Sequence, residues 1–254
     1  RTKISLSKKM LDINKNGFCK KKNFFTNKQI NKFERQLIFF IYNYTKKKFK
    51  KISSKAKKIL NLKSKNFRYE AIKLLEEIEE ANKKLFYQIS TSCGKTFGLN
   101  TFDMTKKNKF FLKKYFKKQF LNIEKLNPQI LYCKKNISRL SFEWHQDAPY
   151  YPNNKVLTLW TPIFRNVKKD NDGGLKFGLG SDKKVYKFKN FKTKGGYRQK
   201  IPKINFEKKF KIFSVNANRQ DVIFFEGKLI HKTDDQLNNI PRVAICIRYI
   251  SNFI

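Results

Sequence analysis

The spacing of apolar residues changes at Pro128, and that change limits the folds open to this chain. Before Pro128, apolar positions recur at helical intervals. After it, short runs rich in β-branched and aromatic residues, at 129–132, 138–142, 156–160, 222–225 and 243–247, are separated by turn signals with no helical stretch between them. Strands that follow one another in this way close as a sandwich or barrel. The expected fold is therefore α+β with a mainly β core: a double-stranded β-helix, the jelly-roll or cupin-like barrel, with N-terminal helices packed on it. The chain reads as a single domain over 1–254, mostly helical in 1–127 and carrying the jelly-roll core in 128–254. With 40% hydrophobic residues and 26 Phe it can fill such a core.

The helical half has its own signals. Thr26-Asn27-Lys28-Gln29 fits a capping box, and Ile30, Phe33, Leu37, Ile41 and Tyr44 follow at helical spacing, which predicts a helix to about Lys48. Residues 46–65 are lysine-rich with scattered Ile52, Ile59 and Leu62, and fit a surface helix or a solvated loop equally well. Over 70–89 the stripe Ala71, Leu74, Leu75, Ile78, Ala81, Leu85 and Ile89 predicts one helix, with Glu79 and Glu80 four residues before Lys83 and Lys84 and Cys93-Gly94 as its end. A further amphipathic helix is expected over 108–121, with Phe110, Phe111, Tyr115, Phe116 and Phe120 turned inward among lysines. The first 22 residues are basic and irregular, with Asn16-Gly17 as a turn signal, and are expected to hold a short strand.

Charge and cysteines narrow the class. The formal charge of +40, from 59 Lys+Arg against 19 Asp+Glu, would by itself point to nucleic acid or another polyanion. Lys, Asn, Ile and Phe are abundant together along the whole length, however, so the charge is read as genome composition acting on exposed positions rather than as a nucleic-acid site. Cys19, Cys93, Cys133 and Cys246 are scattered without a C-x-x-C pair, which argues against structural zinc and disulfides and fits a reducing cytoplasm. The longest strongly apolar run, 37–42, is far short of the ~18 residues that span a bilayer. No signal-peptide pattern is visible, although the chain opens at Arg1 without a methionine, which leaves a removed leader open.

Only two histidines are present, His145 and His231, and His145 stands two residues before Asp147. Two imidazoles and one carboxylate form the facial triad that holds non-haem Fe(II) on one face and leaves the other open. On a strand, residues i and i+2 face the same side, so His145 and Asp147 are expected to project together while Gln146 points away. His231 comes 86 residues later, which suits a ligand delivered by a different strand. Arg242 heads the last strand, eleven residues past His231, on a face shared with Ala244, Cys246 and Arg248. A guanidinium there has room to take a carboxylate in a bidentate fork. Arg248 is its rival, and at ~3.3 Å per residue the two are far enough apart that one alone is expected to reach the metal.

These motifs, with Pro149-Tyr150-Tyr151-Pro152, Thr158-Leu159-Trp160-Thr161-Pro162, Asp172-Gly173-Gly174-Leu175, Gly180-Ser181, Gln220-Asp221-Val222-Ile223-Phe224-Phe225 and Leu229-Ile230-His231, occur in an order that resembles the phytanoyl-CoA dioxygenase-like Fe(II)/2-oxoglutarate oxygenases. The resemblance runs from about residue 128 to the end, and more faintly through Asn16-Gly17-Phe18 and the Thr26 helix. It implies a jelly roll in which His145, Asp147 and His231 bind Fe(II), with 2-oxoglutarate and O2 as cosubstrates. It also implies that Arg242 binds the distal carboxylate of 2-oxoglutarate, that the Thr233 hydroxyl helps hold the cosubstrate, and that Trp160 lines the same pocket. Relatives that halogenate carry a small residue in place of the carboxylate, so Asp147 implies hydroxylation or a related oxidation. Two departures stand out: residues 176–184 keep the turn without a histidine, and Asp234-Asp235 is unusually acidic near the site.

The resulting expectation is a dioxygenase that hydroxylates a small molecule and converts 2-oxoglutarate to succinate. The pocket is expected to be completed by the helical half and by an insertion at 182–215, whose Tyr197, Arg198 and lysines favour an anionic substrate group. Two alternatives stay open: a cupin-like metalloenzyme that needs no 2-oxoglutarate, and a basic polyanion-binding protein.

Overall fold

The computed structural model describes residues 13–96, 106–117, 123–137, 141–193, 196–202 and 206–252. Helix α1 (Asn27–Thr45) starts at the capping box: Thr26 Oγ1 accepts the Gln29 backbone N–H at 3.2 Å, and the Gln29 side chain accepts that of Thr26 at 2.8 Å. The undecided lysine-rich stretch contains helix α2 (Lys50–Leu60), with Ala56 and Ile59 buried. Arg35 of α1 donates to the carbonyls of Leu60 and Leu62, both at 2.7 Å, and so satisfies acceptors that the end of α2 leaves open.

The single helix expected over 70–89 is in fact two, α3 (Ser64–Ala81) and α4 (Lys83–Thr96), and α4 runs past Cys93-Gly94. Asn82 leaves helical geometry at φ −151°, ψ 85°, accepts the Leu85 N–H on its side chain at 2.9 Å, and offers its carbonyl to Phe86 N–H. An asparagine can satisfy the first amides of a new helix, and that option breaks a stripe which periodicity alone would carry through. Helix α5 (Lys106–Phe116) follows, with Leu112, Tyr115 and Phe116 buried and Phe110 exposed. The remainder of the expected helix lies mostly outside the described residues.

The strands are β1 (Phe18–Lys21), β2 (Ile123–Lys125), β3 (Gln129–Cys133), β4 (Asn154–Ile163), β5 (Leu175–Leu179), β6 (Lys189–Thr193), β7 (Gly196–Lys200), β8 (Lys211–Ser214), β9 (Val222–Glu226), β10 (His231–Thr233) and β11 (Arg242–Asn252). A large sheet has the order β1-β9-β4-β11-β2, with β3 also paired to β11. A second sheet has the order β10-β5-β8, and β6 and β7 form a hairpin. All these pairings are antiparallel. Of the strand expected at 138–142, Phe142 lies outside regular pairing and 138–140 lie outside the described residues.

Side-chain alternation sorts the large sheet into two faces. Leu157, Leu159, Val222, Phe224, Val243, Ile245, Ile247 and Tyr249 join one buried cluster with the helices. Trp160, Ile223, Phe225, Ala244 and Cys246 join a second cluster with Leu175 and Phe177 of the smaller sheet. Phe18 stacks on Phe177 at 4.8 Å and Phe225 tilts against it at 5.4 Å, which closes the two sheets on each other as a jelly roll. The helices thus cover the outer face, and the inner face is left for chemistry. Glu34 of α1 ties the layers together: buried, it pairs with Arg219 at 2.9 Å and accepts the Phe164 N–H at 2.7 Å. No helix among the described residues is long and apolar enough to cross a membrane.

Candidate metal centre

His145 and His231 meet across a backbone bridge, each donating its N–H to the other's carbonyl at 2.9 Å. Their rings lie 4.2 Å apart, centre to centre. Asp147 joins them by another route than the one its spacing predicts. It adopts helical φ −78°, ψ −31° and opens a 3-10 turn, Ala148–Tyr150, so the His145–Asp147 strand face is corrected to a bridge followed by a turn. Pro149 fits this turn, since it is tolerated in the first turn of a helix and cannot donate to a ladder. Ligand atoms of His145, Asp147 and His231 all lie within 4.8 Å of one another, and all three residues are buried. Gln146 points away, as expected, and ties this loop to the insertion: it donates to the carbonyls of Lys184, at 2.8 Å, and Lys228, and accepts the Tyr186 N–H at 2.8 Å.

The donor atoms are prepared for a cation. His145 Nδ1 is 2.7 Å from the Glu143 carbonyl and His231 Nδ1 is 2.9 Å from the Leu229 carbonyl. A carbonyl only accepts, so Nδ1 carries the proton in each ring and Nε2 keeps its lone pair. Burial, together with the neighbouring His231, lowers the His145 pKa to about 3. Burial lowers that of His231 as well. Burial would raise the Asp147 carboxyl, but the adjoining Arg248 guanidinium holds it well below the usual carboxylate range. The set is therefore two neutral imidazoles and one carboxylate, the donor chemistry that suits Fe(II).

Arg242 and Arg248 both line the cleft beside the histidines, and of the two it is Arg248 that touches a donor of the set. The cleft runs along the inner face of β11, with Leu131, Phe142, Trp160, Leu175, Phe225 and Thr233 among its walls. Buried Arg242 donates from Nε to the Gly173 carbonyl at 2.7 Å and from Nη1 to the Leu131 carbonyl at 3.0 Å. Its guanidinium lies 6.0 Å from the Trp160 ring centre. Among the described residues no carboxylate pairs with it. Arg248 is different: its Nη2 is 3.0 Å from Asp147 Oδ1. The spacing along β11 gave no sign of that pairing, because Asp147 arrives from a turn whose path periodicity does not encode.

Other features find their reasons here. Gly173, at φ +63°, turns its carbonyl to Arg242, and a Cβ there would lie 2.9 Å from Cys133 Sγ, so the glycine cluster seats an arginine. Ser181 Oγ donates to the Gly178 carbonyl at 2.7 Å and accepts the Ile230 N–H at 2.9 Å, fixing the residue before His231. Thr233 Oγ1 accepts the Phe142 N–H at 2.9 Å. The acidic pair shares Lys176, which lies 2.9 Å from Asp234 and 3.2 Å from Asp235. In the insertion, Arg198 does not line the cleft but sits 4.3 Å from the Phe142 ring centre, and Phe142 does line it. The side chain of Tyr197 lies outside the described residues.

Comparison with known proteins follows the same lines. No curated protein sequence matches the chain. Among solved structures, EvdO2 from Micromonospora carbonacea var. aurantiaca is 14% identical over 57% of this chain and 59% of its own, with a TM-score of 0.47, so the chain spans less than two-thirds of that relative. SnoN, described as a non-heme alpha ketoglutarate dependent epimerase from nogalamycin biosynthesis, is 10% identical over 94% of this chain and 77% of its own, with a TM-score of 0.51. EctD from S. alaskensis, solved with 2-oxoglutarate and 5-hydroxyectoine, is 10% identical over 96% of this chain and 75% of its own, with a TM-score of 0.53. At such identities SnoN and EctD share a fold with this chain. A model of the phytanoyl-CoA dioxygenase (PhyH) family matches residues 13–244. That match takes in the first described strand, the helices, the smaller sheet, the large sheet as far as the start of β11, and all three donors, and by it the chain belongs to the phytanoyl-CoA dioxygenase family.

Proposed function

We propose that this protein is an Fe(II)- and 2-oxoglutarate-dependent oxygenase that hydroxylates a small-molecule substrate. One juxtaposition carries the reading: His145 and His231, gathered with Asp147 as one donor set, line the same cleft as Arg242, a buried cation that has no carboxylate partner among the described residues. A buried guanidinium held by two carbonyls and the Cys133 side chain, with no carboxylate on it among the described residues, retains charge for an incoming anion, and a planar fork suits a carboxylate. Bound iron, with 2-oxoglutarate and O2, supplies oxidation of a C–H bond coupled to decarboxylation of the cosubstrate to succinate.

The chain's own part is to bind, orient and keep water out. His145 and His231 offer Nε2, Asp147 a carboxylate oxygen, and Arg242 takes the distal carboxylate of the cosubstrate. The Thr233 hydroxyl lies on the same wall and donates to the cosubstrate, while Trp160 packs along it. Leu131, Phe142, Leu175 and Phe225 add apolar wall, which strengthens the polar contacts beside it, and Lys232 also lines the cleft. Because Asp147 supplies a carboxylate, hydroxylation is favoured over halogenation. Lys232, which lines the cleft, and Arg198, packed on the lining Phe142, favour a substrate with an anionic group. Helices and large sheet share one hydrophobic cluster, so the two halves act as one domain. Four buried cysteines that remain thiols suit a reducing cytoplasm.

The test is anaerobic titration of Fe(II)-loaded protein with 2-oxoglutarate. Wild-type protein is expected to develop a metal-to-ligand charge-transfer band, His231→Ala to lose it, and Arg242→Met to need about 10- to 100-fold more 2-oxoglutarate, the loss expected for a charge-assisted hydrogen bond. Folded, iron-loaded wild-type protein without the band would favour a cupin-like metalloenzyme that uses no 2-oxoglutarate.

A further inference from the structure

Resting on that reading of the metal centre, we propose that Thr158 and Arg248 form a clamp that presents Asp147 to the metal through a single oxygen, Oδ2. The two residues stand directly opposite each other across the β4–β11 ladder, on the inner face of the large sheet. Thr158 Oγ1 donates to Asp147 Oδ2 at 2.6 Å, and Arg248 Nη2 donates to Asp147 Oδ1 at 3.0 Å. Arg248 is held in turn, because its Nη1 donates to Gln129 Oε1 of β3 at 3.0 Å. Thr158 and Asp147 are fully buried, so water does not compete for these bonds.

The clamp answers a need created by the turn. His145 and His231 are aimed by a backbone bridge and by carbonyls on Nδ1, whereas Asp147 sits in a turn and has no ladder to fix its side chain. Two donors from one rigid pair of strands restrain both torsions of its carboxylate. The donors are unequal. Oδ1 faces a full positive charge, so a divalent cation on that oxygen would sit beside the guanidinium and be repelled. Oδ2 faces a neutral hydroxyl and keeps a lone pair for the metal. One-oxygen ligation leaves the opposite face of a facial triad open to cosubstrate and oxygen. Thr158 and Arg248 are therefore positioning residues that act through Asp147.

Co(II) binding and its d–d absorption spectrum test the clamp without turnover. Thr158→Val is expected to weaken Co(II) binding on the order of 10- to 100-fold, as loss of a partner behind a metal ligand does, and to shift the d–d bands, with Thr158→Ser restoring both. Arg248→Met is expected to shift the bands towards a higher coordination number as the freed carboxylate swings to two-oxygen ligation. If circular dichroism shows Thr158→Val unfolded, Arg248→Met decides alone, and a wild-type spectrum from it overturns the clamp. Wild-type protein that takes up no Co(II) overturns the metal reading and the clamp together. Normal uptake that ignores both substitutions overturns the clamp only.

Discussion

His145 and His231 are buried side by side, and burial penalises an imidazolium far more than an imidazole. In the unfolded chain both take up protons near 6.5, while in the folded protein His145 stays neutral down to about 3 and His231 is lowered in the same direction. Between those limits the unfolded state binds more protons, so stability rises with pH there and is lost as pH falls from about 6.5. Asp147 adds to the loss at lower pH, because its depressed pKa gives stability that is present above the ordinary carboxylate range and disappears below it. The urea midpoint of metal-free protein is expected to drop steadily from about pH 7 to 5, and His145→Gln to flatten that slope; equal slopes would mean that the buried rings already take protons in the native state. The identities of the three donors were legible in the sequence because histidine is scarce and aspartate follows one of them at short range. The partners of Asp147 were not, since Thr158 and Arg248 reach it only through strand register and a turn.

Elements show a similar division. Where a signal is local and chemical, as with the Thr26 capping box, helix α1 begins where the sequence predicts. Where two local signals compete, periodicity was the weaker. The apolar stripe from Ala71 to Ile89 runs through Asn82 without a fault, yet Asn82 closes α3 and caps α4. A helix can bury the same stripe in two pieces, and the asparagine amide makes the break cheap. Replacing Asn82 by Ala is expected to cost about 1 kcal/mol in chemical denaturation, and Asn82→Asp to be nearly neutral, since a carboxylate still accepts the Leu85 amide. A neutral alanine would mean that packing alone sets the break. The inner strands were legible as runs, and their faces follow from alternation: on β11, Val243, Ile245 and Ile247 meet the helices while Ala244 and Cys246 meet the opposite sheet.

Over the whole molecule, charge and topology act separately. The acids are few, and several are spent inside: Glu34 pairs with Arg219, Asp147 with Arg248, Asp221 with Lys20 and Asp234 with Lys176. With a formal charge of +40, the surface is left to repel itself. Because the Debye length shrinks from ~10 Å at 0.1 M to ~3 Å at 1 M, Tm is expected to climb as NaCl is raised through that range, and a flat profile would show that the lysines are too dispersed to matter. The sequence by itself determined the α-then-β order, the jelly-roll class, the two histidines and the aspartate, and the arginine at the head of β11. Each rests on residue type, period or spacing along the chain. Tertiary structure alone decided that His145 and His231 share a backbone bridge, that Arg248 joins the site beside Arg242, and that Gly173 gives Arg242 its seat. These depend on strand register and on turns that bring residues distant in the chain within hydrogen-bond reach, and no period along the sequence records which pairs will meet.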